Sequence, residues 1–428
     1  MRRNRIVPIL LVGSLLTLSG CSLFNDDDLK ISNSFIAPSS ETSFNADAVM
    51  AGGVKGTRVD AVPNAYCFKN IGYAKDGVIT NGYKDIELNH NTYHVNSGND
   101  YTGLTRTSNN FDLYVPDSAA KNADNTVILF IHGGAWVSGF KTDVNPYIYD
   151  FANRGYITAT IKYTLLKKSM DDPSLSIFRN LDEIDACITA IKSALGDLKY
   201  DLSKLKLVVG GASSGSHLAM LYSYSRGETS AIPIKFIVNA VGPVDIKPDA
   251  WKGFVDANDT VLDAGLSASA IAAQASASNI AELRIAGDTN NWNEYQTMRI
   301  ANGMCGLPHS LEEVEASANA EKTSIETPNK ASLAMTNDGG EDLLSVTTWI
   351  DDNDFPIICA YAGKDSVVGI NQYATLEAVL DAKHVKHDVN TEGYFYFRNS
   401  GHTDISKTAD ETNYNAFVNK VDDWCKTL

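Results

Sequence analysis

The sequence predicts an α/β chain with a mostly parallel central sheet and helices on both faces. Three observations predict it. Continuous β-branched apolar runs recur, as in strands buried on both faces. Between them, apolar residues return at intervals of three and four, the period of an amphipathic helix. The two patterns alternate, which is the signature of parallel strands joined by helical crossovers.

In chain order, Val127-Ile128-Leu129-Phe130-Ile131 is the first such strand and residues 157–163 the second. Leu181, Ile184, Ile188, Ile191 and Leu195 mark a helix, residues 205–209 a third strand, and Gly210-Gly211 leads into another helix. Strands follow at 235–240 and 355–361, a strand-like run at 393–397, and a last helix through Tyr414, Phe417, Val421 and Trp424. Upstream, 83–88 and 111–115 read as strands between Asn/Gly turns. The stretch from about 245 to 350 breaks the alternation, with an Ala/Ser-rich part at 262–286 and a polar part at 316–342. An insertion of that length reads as a cap-like subdomain.

The N-terminus reads differently. Arg2, Arg3 and Arg5 precede an apolar run at 6–18, too short to span a bilayer, and Leu18-Ser19-Gly20-Cys21 follows. This is the layout of a secretory signal. Its ending resembles the bacterial lipoprotein signal, which implies lipidation of Cys21 and an exported, membrane-anchored protein of a cell envelope. Residues 1–20 are therefore expected to be a signal peptide, 21–60 a Ser/Asn/Asp-rich tether, and 61–428 the catalytic domain with the 245–350 insertion.

Composition narrows the partners. With 44% apolar and 21% charged residues, the chain can bury a large core. A net charge of -16 argues against a nucleic-acid surface. The cysteines Cys67, Cys187, Cys305, Cys359 and Cys425 lack CxxC spacing, so neither a zinc site nor a disulfide framework is expected. Cys187, Cys359 and Cys425 sit in apolar-periodic segments and read as core residues.

Chemistry concentrates in four places. Gly211-Ala212-Ser213-Ser214-Gly215 matches G-x-S-x-G between a buried strand and a helix, the setting in which a serine projects above the sheet. His132-Gly133-Gly134-Ala135-Trp136 follows the first central strand, where backbone N–H groups can serve an oxyanion. Gly133, Gly134 and Ser214 are the expected donors, His132 a structural residue, and Trp136 either a substrate-side wall or loop packing. A serine needs a base and the base an orienting acid, in the chain order Ser, Asp, His. Gly363-Lys364-Asp365 and Ser400-Gly401-His402 follow later strands, so Asp365 is the expected acid and His402 the base.

Other histidines fit less well. His217 lies one helical turn past Ser213 and points into packing. His384 and His387 flank a helix end. His90 and His94, in an Asn-rich loop, lack a third metal ligand nearby. Asp351, Asp352 and Asp354 stand at the opposite end of a strand from catalysis. No metal or cofactor is expected.

Together with Phe111-Asp112-Leu113-Tyr114-Val115-Pro116, these motifs resemble the α/β-hydrolase esterases of the hormone-sensitive-lipase and carbohydrate-esterase-like type. The resemblance covers roughly residues 105–428, the insertion matching poorly. Ala212, Ser214 and Ser216 depart from the residues common in those relatives, without touching the expected triad. The resemblance implies an α/β-hydrolase fold and cofactor-free hydrolysis of carboxylic esters. Small-molecule or oligosaccharide esters with short acyl groups are the expected substrates. An amidase, formamidase or peptidase would use the same triad, and a non-catalytic surface binding protein on a hydrolase scaffold is the alternative outside enzymes.

Overall fold

A computed structural model describes residues 54–73, 83–88, 91–96, 109–136, 139–166, 177–245, 344–365, 367–387 and 395–428. The expected signal peptide, Cys21, Cys305, His90 and most of the expected insertion lie outside these residues.

The central sheet has nine strands. They are β1 (Thr57–Val59), β2 (Val62–Gly72), β5 (Asn110–Pro116), β6 (Asn125–Ile131), β7 (Ile157–Lys162), β8 (Leu205–Ala212), β9 (Ile234–Ala240), β10 (Ile357–Ala362) and β11 (Phe395–Phe397). Their order is β1-β2-β5-β7-β6-β8-β9-β10-β11. The first three pairings are antiparallel and all others parallel. A separate antiparallel pair joins β3 (Tyr83–Leu88) to β4 (Asn91–Asn96).

Helices cover both faces. On one face lie α2 (Ile177–Asp197), α3 (Ser214–Arg226) and α4 (Asn371–Ala382). On the other lie α1 (Asn145–Asn153) and α5 (Glu411–Thr427). Successive strand residues point to opposite faces. Val127, Leu129 and Ile131 of β6 accordingly enter the first core, while Ile128 and Phe130 enter the second. That double burial is why β6 is apolar without interruption from Val127 to Ile131 rather than alternating.

A buried cation ties the antiparallel edge to the loop after β6. Lys141 Nζ donates to Asp112 Oδ1 at 2.7 Å, Asn110 Oδ1 at 2.5 Å and Asn70 Oδ1 at 2.6 Å. Three acceptors match the three protons of an ammonium group.

Three sequence expectations need correction. The tether does not extend to residue 60: β1 pairs with β2, and the Arg58 guanidinium meets Asp117 at 2.8 Å. The insertion does not extend to 350, because Leu344, Val346 and Ile350 are buried in the first core. Val346 N–H donates to Val244 O at 2.7 Å, which pins the returning chain beside the end of β9. His94 lies on β4 rather than in a loop, its asparagines sitting at the strand's ends. Cys67, Cys187, Cys359 and Cys425 are buried and none is in a disulfide, and burial pushes the first and last up to about 12.

Candidate active site

The site forms where β8, β10 and β11 end. β8 terminates at Ala212, and Ser213 turns the chain into α3. Its backbone has φ 54° and ψ -126°, a strained region that a non-glycine residue occupies only when its surroundings over-determine it. The flanking glycines show how this is enforced. A Cβ on Gly215 would stand 2.2 Å from Ile131 O and 2.3 Å from His132 O. A Cβ on Gly211 would stand 2.3 Å from Gly215 C. The turn therefore presses its own backbone against the end of β6. Gly215→Ala is expected to destabilise the protein by about 2 kcal/mol or more through overpacking, and to lower activity by displacing the 132–134 loop. Denaturant unfolding together with labelling of Ser213 checks both effects.

Strand register brings the acid and the base together. β10 and β11 pair in parallel with Ala362 opposite Phe397. Gly363 N–H donates to Phe397 O at 2.9 Å, and Lys364 N–H to Ser400 O at 2.9 Å, so the two following loops run side by side. Asp365 and His402 emerge next. His402 Nδ1 lies 2.7 Å from Asp365 Oδ2, and His402 Nε2 lies 2.7 Å from Ser213 Oγ. With Nδ1 protonated and donating to the carboxylate, Nε2 is the acceptor for the serine hydroxyl. Asp365 is buried, and its other oxygen accepts from the N–H groups of Val367 and Val368, each at 2.8 Å. The three residues expected from sequence order thus form one hydrogen-bonded chain.

The 132–136 loop backs onto the same turn. A Cβ on Gly133 would lie 3.0 Å from Ser213 Cβ and 2.8 Å from Ala212 O. Ser214 opens α3, so no intrahelical acceptor lies ahead of its N–H. His132 is buried, donates from Nδ1 to Gly133 O at 2.8 Å, and stacks on Tyr163 with centroids 4.2 Å apart. Burial lowers its pKa to about 4, so it is neutral at pH 7 and shapes the loop.

Trp136 is not an open wall. It is buried, and its Nε1–H donates to His217 Nδ1 at 3.3 Å, with the two rings edge to face. His217 is also fully buried. Its Nε2–H donates to Leu344 O at 2.8 Å, and burial lowers its pKa to about 4. Both ring nitrogens are occupied away from Ser213 Oγ, which removes His217 as a base. Among the described residues, no group of three or more His, Cys, Asp or Glu is arranged to hold a metal ion.

Two residues escaped the sequence reading. Asn239 on β9 takes the Ser216 hydroxyl at 2.6 Å and the Gly242 N–H at 2.9 Å on Oδ1, and its Nδ2 donates to Tyr361 OH at 2.9 Å. It props the first turn of α3 from below. Gln372 accepts from the N–H groups of Val244 and Asp245 on Oε1, at 2.7 and 2.9 Å. For Asn239 the available signal was a polar residue within the apolar run of a strand, whereas Gln372 sits beside Asn371 in a helix of mixed composition and gave none.

The parallel sheet, the strained serine turn and the order of the three site residues define an α/β-hydrolase. Its likeness to the esterases of that fold carries further: residues 111–281 match the model of BD-FAE, an α/β-hydrolase esterase family. Among curated proteins, a non-reducing polyketide synthase of Aspergillus calidoustus is 26% identical over 178 residues, 37% of this chain. The chain spans only 7% of that synthase's length. Among solved structures, a truncated carbohydrate esterase from gut microbiota aligns at 14% identity, over 87% of this chain and all of the other, with TM-score 0.48. A bifunctional GH43-CE protein of Bacteroides eggerthii aligns at 15% identity over 86% of this chain and 36% of its own, also with TM-score 0.48. A thermophilic esterase of Thermogutta terrifontis aligns at 14% identity over 74% and 88%, with TM-score 0.45. The sheet topology, not these scores, defines the fold.

Proposed function

We propose that the protein is a serine carboxylic-ester hydrolase. The observation that carries the reading is the chain of contacts from Ser213 Oγ through His402 to Asp365, two links of 2.7 Å each. The chemistry follows from that order. Ser213 Oγ bonds to the ester carbonyl carbon while its proton passes to His402 Nε2. Asp365 holds the imidazole tautomer and balances the imidazolium. The carbonyl oxygen becomes an oxyanion, held by N–H groups of Gly133, Gly134 and Ser214. The intermediate collapses, the bond to the alkoxy oxygen breaks, and His402 returns its proton to the leaving alcohol. Water repeats the sequence on the acyl-serine, giving the acid and free Ser213.

The substrates we propose are short-chain acyl esters met outside the cytoplasm, acyl groups on carbohydrates among them. The basic-apolar-small pattern ending at Cys21 supports export and anchoring by lipid. The BD-FAE match supports an esterase.

The test compares rates on p-nitrophenyl esters of increasing acyl length, acetylated oligosaccharides, aryl formamides and dipeptides. Acetyl and propionyl esters are expected to turn over fastest, and a fluorophosphonate is expected to label Ser213. Faster turnover of formamides or dipeptides would move the reading to an amidase. An unlabelled, inactive protein would sink it. For the anchor, a fatty-acid probe incorporated by the wild type and lost in Cys21→Ala is the expected result.

A further inference from the structure

His217 and Trp136 are 81 residues apart, and each is buried where its polar atoms need partners. They find them in one another. Trp136 closes the loop that begins with Gly133 and Gly134. Ala135 and Trp136 both have left-handed backbone, at φ 52° and 61°, a conformation that non-glycine residues adopt only when held there. Three contacts hold it: Trp136 O accepts from Leu166 N–H at 2.9 Å, the indole N–H reaches His217 Nδ1, and the two rings pack at right angles. His217 stands one turn past Ser213 on α3, and its Nε2–H is anchored to Leu344 O. A ring bridge thus joins the glycine loop to the helix that carries the nucleophile, and ties both to the chain returning at residue 344.

We infer that His217 is a positioning residue, which through Trp136 fixes the glycine loop relative to Ser213 and so sets the geometry of the oxyanion donors. The inference rests on the proposed hydrolase reading. His217 never meets the substrate. The neutral imidazole suits the task because it offers one acceptor and one donor, at fixed separation, to one indole N–H and one carbonyl. Trp136 likewise acts from behind the loop, not as a substrate wall.

Oxyanion donors act on the transition state more than on the bound ester, so losing their alignment lowers kcat and leaves KM nearly unchanged. The experiment measures kcat and KM on p-nitrophenyl acetate, per serine titrated with a fluorophosphonate, for four proteins. His217→Phe keeps a ring but removes both hydrogen bonds. His217→Gln restores a donor toward Leu344 O. Trp136→Phe removes the indole N–H, and the last protein combines His217→Phe with Trp136→Phe. The expected kcat is lower by about tenfold to a hundredfold in His217→Phe and about tenfold in Trp136→Phe, with KM within about threefold of wild type. The double variant is expected to be no worse than His217→Phe alone, since the two residues form one device. His217→Gln is expected to recover part of the loss. If His217→Phe does not fold, Trp136→Phe carries the test by itself.

Wild-type kcat per titrated serine in both Trp136→Phe and the folded His217 variants would overturn the inference and leave the esterase reading intact. So would a Trp136→Phe protein whose KM rises while kcat holds, because Trp136 would then touch substrate. An inactive wild type overturns the esterase reading instead, which keeps the two failures distinct.

Discussion

Ser213→Ala is expected to lower turnover of p-nitrophenyl acetate by about a million-fold, with His402→Ala close behind and the double variant no worse than either. The three outcomes belong together because the hydroxyl and the imidazole act in one step. Without Oγ there is no nucleophile for His402 to deprotonate. Without the imidazole, the hydroxyl keeps its proton. What survives is the help that oxyanion donors and substrate binding give to a water molecule, roughly a thousandfold to ten-thousandfold over the uncatalysed reaction. Stability should barely move. Ser213 is half-buried, and Ala tolerates φ 54° no better and no worse than Ser. Rates on purified proteins matched by denaturant midpoint are the measurement. A Ser213→Ala protein turning over the ester at the wild-type rate would end the serine-hydrolase reading.

Much of this site was legible in the sequence because catalysis by this device depends on order and local turns. The G-x-S-x-G turn, the glycine pair after β6 and the residues after β10 and β11 each lie a few positions beyond a strand with an unmistakable apolar pattern. Once those strands are parallel and adjacent, their C-terminal ends must meet. The central strands were legible for the same reason, being buried on both faces. The outer antiparallel strands β1 and β2 were not. β2 carries Pro63, Asn64 and Asn70, and its register shifts between Phe68 and Ile71, so no period of two survives along it. Residues 344–350 were hidden by a polar neighbourhood, since their burial comes from packing on α3 and α4 rather than from a pattern of their own. The His217–Trp136 contact was hidden most completely. Each residue was conspicuous alone, one as a rival base and the other as a wall, but their pairing across 81 positions is decided by where α3 crosses the end of β6. Long-range polar contacts between single residues leave no local signature.

Asp365→Asn is expected to lower kcat by about ten-thousandfold, with KM nearly unchanged and the fold intact. The size follows from which groups face the carboxyl. Oδ1 accepts two backbone N–H groups, from Val367 and Val368, and Oδ2 accepts the His402 Nδ1–H. A carboxylate can accept at both oxygens, whereas an amide accepts at one end and donates at the other. Turning the amide nitrogen toward Val367 and Val368 would set donor against donor at two buried contacts. The oxygen therefore takes that side, and the NH2 group faces His402. The imidazole must then offer Nδ1 as an acceptor and carry its proton on Nε2. That proton points at Ser213 Oγ, so the base can no longer take the serine's own. Asp365→Ala differs in a way that separates orientation from simple loss. It also frees the N–H groups that hold the turn at 367–368, so it should lower the melting temperature as well as kcat, whereas Asp365→Asn should lower kcat alone. Nitrogen NMR of the His402 ring reads the tautomer directly. Asp365→Asn retaining the proton on Nδ1, or keeping more than a tenth of wild-type kcat, would show that Asp365 does not orient the base.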